Sequence, residues 1–165
     1  MSGGLDVSMV IQQLVNGLAL GSVYALIALG YTMVYGIIRL INFAHGDIFM
    51  LGAYYGYFAI TMFNVPFALA LPLTMVLAAL TGMAVERLAY KPLRQAPRIA
   101  SLITAIGVSL LLQNLGLKFF EARPRPYPRI MRTVVWDLGG VVVSNVQLIM
   151  LALAVALMVL ISLIV

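Results

Sequence analysis

Cysteine is absent from this chain of 165 residues, histidine occurs once, and only five residues are acidic. Without cysteine there are no disulfides and no thiolate metal sites. A lone histidine, with no serine–histidine arrangement near it and few carboxylates to converge on it, leaves little for an enzyme to work with. No catalytic and no metal-ligating residues are therefore assigned. Charge is scarce altogether. Charged residues make up 9% of the chain, where a soluble domain typically carries about a quarter.

What takes their place is apolar. Hydrophobic residues account for 64% of the sequence, and the mean hydropathy is +1.09. A chain this short leaves much of its surface exposed in water, so the solvent that suits this composition is a lipid bilayer. The formal net charge of +5 would suggest nucleic acid in a soluble protein. Here the basic residues fall between apolar runs, as loop charges of a membrane protein do, and nucleic acid is not expected as a partner. The N-terminal MSGGLDVSMV has no lysine or arginine before its apolar run. That run is longer than a signal-peptide core, so it reads as a retained span.

A crossing takes about 20 apolar residues. The sequence predicts an all-α, polytopic transmembrane helix bundle with about five spans, near 9–38, 48–63, 66–85, 99–117 and 146–165. Asn64-Val65-Pro66 divides the second from the third, because Asn-x-Pro favours a turn and proline suits a helix start. Between the later spans lie a basic loop, 86–98, and a polar loop, 118–145. In the latter, valines flanking Gly139-Gly140 predict a small hairpin. The last apolar run is still continuing at Val165, so residues 1–165 read as a fragment, the N-terminal part of one larger transmembrane domain.

Small residues recur at four-residue spacing along the spans: Gly17 and Gly21, followed by Ala25; Gly52 and Gly56; Ala70, Thr74, Ala78 and Gly82; Ser101, Ala105 and Ser109. Such faces let helix backbones approach closely in lipid. Gly17, Gly21, Gly52, Gly56, Ala78 and Gly82 are the expected packing positions. Topology is less sharply marked. Arg87, Lys91, Arg94 and Arg98 crowd one short loop, while Lys118, Arg123, Arg125, Arg129 and Arg132 lie beyond the next span. The shorter cluster, closer to its helices, is the one assigned to the cytoplasm.

The polar stretch RLINFAHGD, Arg39 to Asp47, interrupts two uncharged runs, 7–38 and 48–85. Two readings are open. It is either an ordinary turn in the headgroups or a helix broken at membrane depth, where irregular backbone is tolerated only against protein or water. Transporters build solute sites from such broken helices. On the second reading Asn42, Phe43, His45 and Gly46 line a substrate pathway, while Arg39 and Asp47 stabilise the break towards its polar edge.

From Tyr24 to Tyr54 the sequence YALIALGYTMVYGIIRLINFAHGDIFMLGAY resembles the N-terminal region of branched-chain amino acid ABC transporter permeases of the LivH type. Glu86 to Arg94, ERLAYKPLR, and Ile103 to Asn114, ITAIGVSLLLQN, resemble that family's next loop and span, in the same order. The resemblance implies a multi-pass subunit of the bacterial inner membrane. It implies as partners a second permease subunit, two ATP-binding subunits, a periplasmic amino-acid-binding protein and the lipid bilayer. ATP and magnesium would be held by the ATP-binding subunits, with no cofactor in this chain. It favours the broken-helix reading, because distant sugar permeases place a comparable Gly-Asp break near their pathway, and it favours a cytoplasmic 86–98 loop. Family members run to roughly twice this length, and nothing here matches their ATPase-coupling segment, so the chain is expected to be an N-terminal half. Arg123 to Arg129, RPRPYPR, has no match in the family pattern and reads as a stiff solvated loop. Urea and short-chain amide permeases carry similar regions, and a channel or structural membrane protein is the other alternative.

Overall fold

The computed structural model describes residues 7–38, 41–121 and 123–164. Five helices dominate: α1 (Val7–Ile38), α2 (His45–Thr61), α3 (Phe67–Val85), α4 (Arg98–Phe120) and α5 (Asn145–Ile164). A two-stranded hairpin, β1 (Val135–Asp137) with β2 (Val142–Ser144), precedes α5. Four of the helices are long and apolar enough to cross a membrane, while α2, at 17 residues, is shorter. α1 is one continuous helix of 32 residues, about 48 Å at 1.5 Å per residue.

The contacts divide the chain into two units, residues 1–33 with 131–165, and residues 34–130. In the first, the hairpin turns on Gly139 and Gly140, whose φ of +70° and +93° suits glycine. The Asp137 carboxylate receives the Gly140 N–H at 2.8 Å. β2 then runs directly into α5 through a reciprocal cap. Gln147 Oε1 accepts the Ser144 N–H at 2.9 Å, and the Ser144 hydroxyl accepts the Gln147 N–H at 3.2 Å. This Ser-x-x-Gln box satisfies two donors that a helix start leaves open. Gln12 of α1 uses its side-chain amide like a strand neighbour, accepting the Val142 N–H at 2.5 Å and donating to the Val142 carbonyl at 3.0 Å.

In the second unit α3 runs antiparallel to α2, and α4 runs parallel to it. The α2–α3 turn forms where Asn64-Val65-Pro66 predicts it, with Asn64 at φ +50°, a conformation asparagine tolerates, and Pro66 capping α3. Between these helices, an atom placed as Cβ on Gly52 would lie 3.8 Å from the Ala78 Cβ. On Gly56 it would meet Thr74 Oγ1 at 3.3 Å and the Tyr127 hydroxyl at 2.6 Å. The added atom at Gly17, Gly21 or Gly82 would meet nothing within 4 Å in this chain. Further along the contact, the Tyr55 and Thr81 hydroxyls are 3.0 Å apart.

The α2–α4 contact climbs in helical steps. Leu51 and Leu112 form a small core with the fully buried Ala44. Above them Gly116 leaves room for Met50, whose Cε would stand 3.1 Å from an added Cβ. At the top Tyr54 stacks on Phe120 at 4.3 Å between centroids. The segment after α4 folds back onto this end. Arg125 lies over the Phe58 ring at 5.6 Å, donates to the Phe120 carbonyl at 3.1 Å, and sits beside Glu121. Tyr127 meets Tyr57 edge-on, and burial pushes its phenol above the ordinary tyrosine value. The proline-rich stretch is thus anchored to aromatic rings at two points rather than solvated throughout.

Candidate functional site

α2 begins at His45, inside the polar stretch, and residues 41–44 before it are not helical. Gly46 and Asp47 fall in its first turn, where N–H groups lie outside the i→i−4 ladder. Ala44 occupies the cap position and has no side chain to offer. Asn42 does that work from two residues away. Its Oδ1 accepts the Ala44 N–H at 3.1 Å and its backbone carbonyl accepts the His45 N–H at 3.2 Å. The same Oδ1 also receives the Tyr90 hydroxyl at 2.7 Å. The amide side chain therefore both shapes the turn and ties it to the segment after α3.

The remaining residues of the motif alternate between inside and outside. Phe43 is 48% exposed and Ala44 is completely buried. His45 is half-buried, Gly46 is exposed, and an atom added at Gly46 would meet nothing within 4 Å. Asp47 is 8% exposed. It lies in the α2–α4 contact. Its carboxylate accepts the Ser109 hydroxyl at 2.5 Å on Oδ2 and the Gln113 amide at 3.0 Å on Oδ1, and Gln113 also donates to Ser109 Oγ at 3.1 Å. Arg39, expected to share the stabilising role with Asp47, lies outside the described residues.

Tyr90, Ser109 and Gln113 were not among the residues expected to serve this site. Ser109 appears in the sequence only as one of a stripe of small residues. Gln113 carries a clearer signal, since a polar side chain well inside an apolar span calls for a partner. Tyr90 sits in the basic loop, and nothing local to it points back to Asn42. What results is a break whose inward side chains are spent on one another, while Phe43, Gly46 and part of His45 remain outward. That surface carries the Phe43 ring and the backbone of Gly46. Among the described residues, no three His, Cys, Asp or Glu side chains gather as a metal site would require.

Residues 13–165 match the family described as the permease component of branched-chain amino acid transport systems. The chain belongs to this family. The BraD high-affinity branched-chain amino acid transport system permease protein of Pseudomonas aeruginosa is 43% identical over 150 residues, covering 84% of this chain and 49% of the relative. The LivH permease proteins of Salmonella typhimurium and Escherichia coli are each 46% identical over 112 residues, covering 63% of this chain and 36% of theirs. The chain therefore spans half or less of the length of these family members. No solved structure matches it. With its apolar helices, the family membership makes this a multi-pass membrane protein.

Proposed function

We propose that this chain supplies part of the translocation pathway of an ATP-driven importer of branched-chain amino acids in the bacterial inner membrane. The observation that carries the reading is the family match over residues 13–165, joined to a polar turn whose Asn42 and Asp47 side chains bond to the segment after α3 and to α4. Phe43, His45 and Gly46 face the solute, and Asn42 and Asp47 hold them there. An apolar side chain such as leucine's would meet the Phe43 ring, and the solute's charged groups would meet His45 and first-turn amides, whose dipoles favour a carboxylate. A second permease subunit would complete the pathway and a periplasmic binding protein would deliver the amino acid. Two ATP-binding subunits, holding ATP and magnesium, would drive alternating access. On this reading the 86–98 loop faces the cytoplasm and 118–145 the periplasm.

The test is uptake of radiolabelled leucine by a complete transporter carrying this sequence, in cells lacking their own system. The proposal expects uptake that needs the binding protein and is competed by isoleucine and valine. Competition by urea or acetamide, and not by isoleucine or valine, would overturn the substrate assignment.

A further inference from the structure

Tyr90 stands where the chain changes its winding. α3 gives way to a single π-helical turn, Glu86–Tyr90, in which the Lys91 N–H reaches the Glu86 carbonyl, and then to a short 3-10 turn, Lys91–Leu93. A π turn inserts one residue into the helical repeat and so redirects the side chains that follow it. Here it turns Tyr90 inward, to 7% exposure, while Arg87, Leu88, Lys91 and Pro92 stay exposed. The segment closes on itself through the Glu86–Arg94 ion pair at 2.6 Å, with the arginine largely exposed. Its one inward polar atom, the Tyr90 hydroxyl, meets Asn42 Oδ1 across a sequence separation of 48 residues.

We propose that Tyr90 is a positioning residue for transport: its hydroxyl fixes Asn42, and through Asn42 it sets the direction in which Phe43 and His45 are presented. One oxygen is shared between the two bonds. Oδ1 accepts both the Tyr90 hydroxyl and the Ala44 N–H, so the turn at 42–44 and the basic segment cannot shift independently while both bonds stand. A displacement of Glu86–Leu93 draws on Asn42, and the turn that carries Phe43 follows. Without the Tyr90 bond, Asn42 keeps only local partners and the turn samples other conformations. The inference rests on the proposed pathway role of the break, but its first readout does not require transport.

The experiment places a reporter, Phe43→Cys, in a complete permease otherwise free of cysteine and assembled in membranes, and measures its rate of reaction with a small thiol reagent. Tyr90→Phe, which removes the hydroxyl alone, should change that rate about fivefold, the population shift that one net hydrogen bond supplies. Asn42→Ala, which removes both bonds to Oδ1, should change it at least as much, and the two together no more than Asn42→Ala alone. Asn42→Asp, which keeps an acceptor oxygen in place, should react like the parent and guards against a general effect of substitution at 42. In the background without the reporter, Tyr90→Phe should lower the maximal uptake rate while leaving the subunit's abundance in the membrane unchanged. A parental labelling rate in Tyr90→Phe, multiplicative effects in the double variant, or Asn42→Asp behaving like Asn42→Ala would each overturn the inference. If instead labelling responds as expected while His45→Leu transports normally, the positioning contact stands and the pathway reading fails.

Discussion

Removing the Asp47 carboxylate tests the most deeply set contact of the break. In Asp47→Ala the Ser109 hydroxyl and the Gln113 amide both lose their acceptor on α2. Interhelical polar contacts in membrane proteins contribute about 0.6 kcal/mol on average and up to about 1.7, so two of them amount to about 1–3 kcal/mol. The residual bond from the Gln113 amide to Ser109 Oγ keeps the Gln113 donor occupied, so that the Ser109 hydroxyl alone loses its acceptor and the loss stays inside that range. Asp47→Asn should lose less than half as much, because the amide oxygen still accepts from Gln113 and its NH2 can donate to Ser109. The assay is a denaturant titration of the purified complete permease in mixed micelles, run as a cycle on Asp47→Ala and Ser109→Ala. Independent sites add to within about 0.3–0.5 kcal/mol, and this pair should fall short of additivity by more than that. Full additivity, or parental stability in Asp47→Ala, would show that the carboxylate does not join α2 to α4.

Two further outcomes follow from the same geometry. Gly52→Ala should leave assembly unchanged, because its new atom rests at ordinary contact distance from Ala78, whereas Gly56→Leu should destabilise by about 1–3 kcal/mol as it meets Thr74 and displaces Tyr127; equal stability of the two in the same titration would contradict the close α2–α3 approach. With cysteines at Gln95→Cys and Arg129→Cys, an impermeant thiol reagent added outside intact cells should label position 129 and spare 95, and the reverse pattern would invert the proposed topology.

The helices were legible in the sequence because lipid leaves so little choice. Long uncharged runs become helices, and Asn64-Val65-Pro66 and Gly139-Gly140 break the chain where backbone chemistry requires it. The polar stretch could be located but not resolved. Phe43 and Ala44 differ little in what their neighbours announce, yet one is half exposed and the other fully buried, because that depends on which face α4 covers. Asp47 lies 62 residues from Ser109 and 66 from Gln113, too far for spacing to reveal the pairing. The reach of Tyr90 to Asn42 depends on a π turn, Glu86–Tyr90, that contains no glycine or proline, and Pro92 just beyond it does not announce where Tyr90 points. The anchoring of the proline-rich segment likewise depends on rings at the far end of α2, which only the folded chain brings to Arg125 and Tyr127.

Whether the break lies in the pathway is decided most directly by leucine uptake in a complete transporter carrying His45→Leu, with a second variant, Gly46→Leu, that closes the open backbone beside it. Both variants should reach the membrane and bind their partner subunits in parental amounts, which is measured beside uptake. Uptake should then fall to background in each. Near-parental uptake in both, at equal abundance, would contradict it and leave Arg39 to Asp47 a turn between two helices.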